Sequence, residues 1–191
     1  MKFSEMKYER PDLAAVKDEL HALTERLKAA RDYAEAREAF LAHEAAYIHM
    51  ETQATLASVR HTIDTRDEFY DAEETFWNAA TPELDAYEDA WKGTMLESPF
   101  RKEFAAEYGD LMFVNAEIAR KAFSPEIIPE SQQENDLSQA YSKLIASAQI
   151  PFEGGVYTIS QLSPFKNDPD DARRLAAWQA EGAWKSEAKR S

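Results

Sequence analysis

Cysteine is absent from the 191-residue chain. That excludes disulfides, thiol nucleophiles, iron–sulfur clusters and cysteine zinc sites together, and it accords with a reducing, cytoplasmic setting. Glycine is scarce at 5 residues and proline contributes only 8, too few for a collagen-like or low-complexity chain. Charges interrupt every hydrophobic stretch, and no run reaches the roughly 18 apolar residues a membrane-spanning helix needs. The stretch 1–10 alternates charged and apolar residues and has no signal-peptide core. Positive charge is in deficit: 22 Lys and Arg face 36 Asp and Glu, for a net charge of −14. Such a surface repels phosphate backbones and anionic headgroups, so neither nucleic acid nor a membrane is an expected partner.

What is present is enough to fold. With 44% hydrophobic and 30% charged residues, the chain can bury one sizeable core without metal or disulfide staples. Apolar residues recur at helical spacing. Leu13, Val16, Leu20, Leu23 and Leu27 keep to one stripe, opened by Pro11. Asp32 and Glu35 resemble a capping box before a second helix that begins near Tyr33. There, Leu41, Ala45, Ile48, Thr52, Leu56, Val59 and Ile63 form a stripe uninterrupted by glycine or proline, over roughly 50 Å of helix. A helix that long draws its stability from burying such a stripe, so the spacing predicts a bundle.

Further helices are expected over 67–79, from Thr81-Pro82-Glu83 onward, and from Ser98-Pro99 to a stop at Gly109. Another carries Leu111, Val114, Ile118 and Ala122 in line; one more carries Leu137, Tyr141, Leu144 and Ile145 after Pro129. The period breaks once. Gln149 to Phe152 and Val156 to Ile159 flank Glu153-Gly154-Gly155, which predicts a small β-hairpin with Pro151 on an edge strand. Asp168-Pro169-Asp170-Asp171 then caps a final helix holding Trp178 and Trp184, two aromatics expected to be incompletely covered. The fold class is therefore all-α: an elongated multi-helix bundle of about eight helices with one small β-hairpin near 149–159. No repeat of fixed period is visible.

Catalytic signatures are lacking. His43-Glu44-Ala45-Ala46-Tyr47 approaches H-E-x-x-H, but tyrosine fills the second ligand position and His49 projects about 240° round the helix. His43 is thus expected as an exposed or partly buried histidine beside a solvated acid. No histidine follows Glu by three positions, so a di-iron carboxylate site has no signature. His61, Asp64 and Glu68 share a face if their helix continues, with Asp67 and Asp71 adding acidity. That group could ligate a divalent cation or steer a cationic ligand; more often it is a solvated face with a local His–Asp pair. There is no G-x-S-x-G elbow, and Gly154-Gly155 is too short for a phosphate loop. Phe40, Tyr47, Phe69, Phe76, Trp77, Tyr87 and Trp91 fall at helical spacings and are read as core. No catalytic, cofactor-binding or metal residue is assigned.

Several segments carry a resemblance. They are Lys2-Phe3-Ser4-Glu5-Met6 with Tyr8-Glu9-Arg10-Pro11-Asp12, the run Arg60 to Asp71, Ser124-Pro125-Glu126-Ile127-Ile128-Pro129-Glu130, Ile150 to Tyr157, and Gln161-Leu162-Ser163-Pro164-Phe165 with Asp168 to Arg174. Together they resemble the amino-terminal region of bacterial oligoendopeptidase F, a zinc metallopeptidase family related to thimet oligopeptidase that cleaves short peptides in a deep channel. The resemblance implies one helical amino-terminal region over 1–191, with a long-helix part at 1–112. A part at 113–191, containing the hairpin and final helix, resembles the family's amino-terminal domain. It implies a wall or lid of the channel, with zinc held by an H-E-x-x-H helix in a catalytic region that this sequence stops short of. The chain is then expected to be inactive alone, its partners being that catalytic region and, through the complete enzyme, short peptides. The alternative is a free-standing acidic helical adaptor for a basic protein.

Overall fold

A computed structural model describes residues 2–189. Among them are eight α-helices: α1 (Leu13–Lys28), α2 (Tyr33–Ile63), α3 (Glu68–Glu97), α4 (Arg101–Tyr108), α5 (Leu111–Ala122), α6 (Ile128–Ala146), α7 (Ile159–Leu162) and α8 (Asp171–Ala188). Strands β1 (Ile150–Phe152) and β2 (Gly155–Tyr157) pair antiparallel, with Ile150 opposite Tyr157 and Phe152 opposite Gly155. The all-helical class with one small hairpin is the architecture observed. The chain divides into two compact units, 1–136 and 137–191, the division falling within α6. No helix of the described residues is long and apolar enough to cross a membrane.

Aspartate starts four of these helices. The Asp12, Asp32, Asp67 and Asp170 carboxylates each accept from backbone N–H groups of the first turn, which otherwise have no partner. At α2 only half a capping box forms: Asp32 accepts from the Glu35 N–H at 2.9 Å, while Glu35 accepts from the Arg31 N–H at 3.0 Å. A true box at Thr158 and Gln161 opens α7, a helix too short to leave a periodic signal.

In the first unit α1, α2 and α3 pack against one another and α5 packs on α3. One buried cluster joins Leu20, Met50, Ala57, Trp77, Ala80 and Leu84; a second joins Leu27, Ala36, Ala39, Phe40, Trp91, Met95, Phe104 and Phe113. Each large side chain withdrawn from water contributes about 1.5–3 kcal/mol before the entropy of ordering it. In the second unit Ile150, Phe152, Leu162 and Ala177 form a separate core, flanked by Trp184.

Three expectations are corrected. The α2 stripe from Leu41 to Ile63 is not its buried face. The helix buries Ala36, Ala39, Phe40, His43, Met50, Gln53, Ala57 and His61 instead, leaving Leu41, Ile48, Val59 and Ile63 exposed; only Leu56 of the expected stripe is covered. Likewise α5 buries Phe113 and Ala116 and exposes Leu111, Val114 and Ile118. Finally, α3 runs unbroken through Pro82, so Thr81 is an interior residue and not a cap. A proline there leaves the carbonyl of Asn78 without its helical N–H. The side-chain amide of Asn135 donates to that carbonyl at 3.1 Å, and Gln132 donates to the next one, Ala79, at 2.7 Å. The broken ladder is thus repaired by α6.

At the hairpin, Glu153 and Gly154 both have positive φ, 46° and 79°, as a tight two-residue turn requires. The strain at Glu153 is held by Arg173, whose guanidinium donates to both of its carboxylate oxygens. Trp178 is 54% exposed, with the Lys166 ammonium 4.7 Å from its ring, whereas Trp184 packs against the second core.

Candidate functional site

The chemistry-bearing residues of the first unit collect between α2 and α3, and helical packing explains why. Positions 36, 40, 43, 47 and 50 of α2 face α3, so a histidine at 43 must enter the interface. His43 is only 1% exposed. Its ring lies flat on the indole of Trp91, centroids 3.8 Å apart and 2° from parallel, and its Nε2 is 3.1 Å from Glu88 Oε1. The contact pairs opposite charges when the imidazole is protonated, and neither ring nitrogen nor Glu88 Oε1 has an aligned hydrogen-bond partner. Burial pushes the His43 imidazole down, but the Glu44 and Glu88 carboxylates outweigh it and hold it above the ordinary histidine value.

A cavity of about 340 Å³ opens beside this pair, lined by Phe40, Glu44, Glu88, Trp91, Lys92 and Met112 among others. A neighbouring one of about 290 Å³ is lined by Asp85, Asp89, Lys92 and Phe123. Burial raises the Asp85 carboxyl; Lys92 opposes the shift and Glu88 adds to it. Burial likewise pushes the Tyr47 hydroxyl well up, helped by Glu51, Glu88 and Asp85. The region is an apolar groove with an acidic rim.

A second polar cluster ties the chain's opening segment to α3. Glu73 is buried, and Arg10 grips both its oxygens, Nε to Oε2 at 2.8 Å and Nη2 to Oε1 at 2.7 Å. The Tyr8 hydroxyl also donates to Glu73 and accepts from Trp77 Nε1 at 3.1 Å. Arg10 holds the Glu73 carboxyl below its ordinary value against the opposing effect of burial, and burial with Glu73 pushes Tyr8 up to about 12.

The acidic group around His61 is only partly assembled. Because α2 ends at Ile63, the shared face does not form: Asp64 pairs with Arg66, Asp67 caps α3, and only Asp71 meets His61, at 3.3 Å. His49 is exposed and apart from buried His43. Among the described residues no three His, Asp or Glu side chains converge as a metal site would require. Glu73, Glu88, Asp64 and Asp71 are each paired with an arginine, lysine or single histidine, and the described residues gather no set that fits a zinc ion. The His43–Glu88 pair and the Glu73 clamp were not legible in the sequence, since their partners lie 45 and 63 positions apart. Chemically, the arrangement can shield and hold a ligand. The imidazole itself is buried, 1% exposed, against Trp91 and Glu88.

Comparison with known proteins places these features. The sequence profile of the Peptidase M3 N-terminal domain matches residues 3–123. A solved structure provisionally assigned as an oligoendopeptidase F matches with a TM-score of 0.95 at 36% identity, covering 100% of this chain and 34% of that one. PZ peptidase A, solved with an inhibitor, matches with a TM-score of 0.95 at 34% identity over 99% of this chain and 34% of its own. A provisional oligoendopeptidase F from Bacillus anthracis strain Ames gives 0.95 at 32% identity, over 100% and 35%. The chain spans about a third of the length of these relatives. No curated protein matches it.

Proposed function

Because the chain belongs to the peptidase M3 family through its N-terminal domain, we propose that it forms the helical wall or lid of a zinc metallo-oligoendopeptidase that hydrolyses short peptides, and that it is inactive by itself. One observation carries this reading: its whole length matches one third of an oligoendopeptidase chain at a TM-score of 0.95 and 36% identity. The zinc belongs to a catalytic region outside these residues, where it would supply a Lewis acid and an activated water. What this chain contributes is burial, positioning and restricted access. A stiff scaffold of α1, α2 and α3, locked by the Glu73 clamp and the His43–Trp91 stack, holds an acid-rimmed groove in fixed shape. A cytoplasmic setting goes with the cysteine-free composition.

The test is a chimera in which this chain replaces the matching third of the Bacillus anthracis protein. The expected result is zinc-dependent cleavage of a quenched fluorescent peptide by the chimera and none by the chain alone. Zinc-dependent cleavage by the purified chain alone would overturn the inactivity; a folded chimera without activity would overturn the wall.

A further inference from the structure

The outer face of α2 carries large apolar residues that the fold leaves exposed. At 100° per residue, Leu41, Ile48, Val59 and Ile63 fall roughly 165° round from the face that packs on α1 and α3. Ile48 is 61% and Ile63 73% exposed. Single exposed apolar residues are ordinary, but here four share one face of one helix, with Leu56 at its edge covered. Between 41 and 63 the positions on that face are Leu41, Ala45, Ile48, Thr52, Val59 and Ile63, joined by Thr55 and Leu56 at its edges. None is charged, over about 33 Å of helix, in a chain whose residues are 30% charged. The face also has relief: a cavity of about 370 Å³ opens along it, with Phe3, Met6, Ile48, Thr52 and Leu56 in its walls. Glu44 and Glu51 flank it on one side.

We infer that this face is the seat on which the catalytic region of the peptidase docks, through an amphipathic helix with apolar anchors and basic residues at its rim. The inference rests on the wall reading above. The occupant is identified by length and charge: relatives that keep this fold at a TM-score of 0.95 carry about twice as much further polypeptide, and acids beside the seat call for basic residues opposite. A second copy of this chain is disfavoured by its net charge of −14.

The experiment uses the same full-length chimera with Ile48→Glu and Ile63→Glu introduced together. Both side chains are exposed, so the isolated chain carrying them should keep its wild-type melting temperature, measured in parallel. The expected result is a loss of peptidase activity of about tenfold or more in the doubly substituted chimera, with Glu51→Lys giving a smaller, salt-sensitive loss. An active chimera indifferent to all three changes would overturn the seat and leave the wall reading standing; an inactive unsubstituted chimera would overturn both. An isolated chain that sediments as a dimer, dissolved by Ile48→Glu while the chimera stays indifferent, would assign the face to a second copy and overturn the inference.

Discussion

The side-chain amide of Asn135 sits 3.1 Å from the backbone carbonyl of Asn78, the acceptor that Pro82 leaves without its helical donor. The proline in the middle of α3 costs a helical hydrogen bond, and Asn135 of α6 supplies a donor to the carbonyl it leaves. Local weakness and tertiary contact are the same feature seen from two helices.

That coupling is measurable. Asn135→Ala should destabilise the chain by about 1 kcal/mol by removing this hydrogen-bond donor from a partly buried carbonyl. In a Pro82→Ala background the backbone N–H of the new alanine reaches the same carbonyl, and Asn135→Ala should then cost almost nothing. A double-mutant cycle from urea unfolding should give a coupling of about 1 kcal/mol; strict additivity would show that the amide's contribution does not depend on the proline.

His43 links stability to pH. Its value is raised above the ordinary 6.5, because Glu44 and Glu88 outweigh a burial effect that lowers it. Also facing the ring are Tyr47 on α2 and Trp91 on α3, with Lys92 next to Glu88. A raised value means the folded state holds the proton more tightly than the unfolded chain. The stabilisation is therefore complete below the unfolded value and is lost as pH rises through the folded one. The melting temperature should fall across that window in the native chain and be flatter in His43→Gln, with the imidazole resonance titrating late in NMR.

The Glu73 clamp should respond asymmetrically. Arg10→Met leaves a buried carboxylate with only the Tyr8 hydroxyl and should cost about 3 kcal/mol. Glu73→Gln leaves a half-exposed guanidinium that water can reach, and should cost about 1–2 kcal/mol. Because the Glu73 carboxyl is held below its ordinary value, its contribution is present above that value and lost as pH falls through the folded one. Tyr8, pushed up to about 12 from an ordinary 10, works the other way: its contribution is full below 10 and lost as pH rises toward 12. Absorbance of phenolate in Tyr8→Phe against the native chain would identify the late-titrating hydroxyl.

Two glycines should give opposite signs. Gly109 ends α4 with φ of 91°, which an L side chain rarely adopts, so Gly109→Ala should destabilise by about 1 kcal/mol. Gly182 lies inside α8, and a Cβ there would meet nothing within 4 Å. Gly182→Ala should stabilise by about 0.5–1 kcal/mol through helix propensity alone. Thermal denaturation of the two variants decides both.

By itself the sequence determined most of the segments that become helices and where the one hairpin interrupts them, but not that α3 runs on through Pro82 or that α7 forms. Those choices rest on local physics: three-and-four spacing, aspartates before the first turns of four helices, a glycine at the end of α4, and a Glu-Gly turn between β-favouring residues. Its longer segments also carried the family resemblance. What it did not determine was which side of a helix faces the core. Both α2 and α5 carry apolar residues on two opposite faces, and the better-spaced stripe on each, Leu41 to Ile63 and Leu111 to Ile118, is the one left outside. Helical periodicity measures how apolar a face is, not what lies against it. Only the tertiary structure, by bringing α3 to one side, decided that Phe40 and His43 go in and Ile48 stays out. The same holds for the His43–Glu88 and Arg10–Glu73 pairs and for Pro82, where an amide 53 residues away from the proline made a helix continuous at a point where its own residues would have ended it.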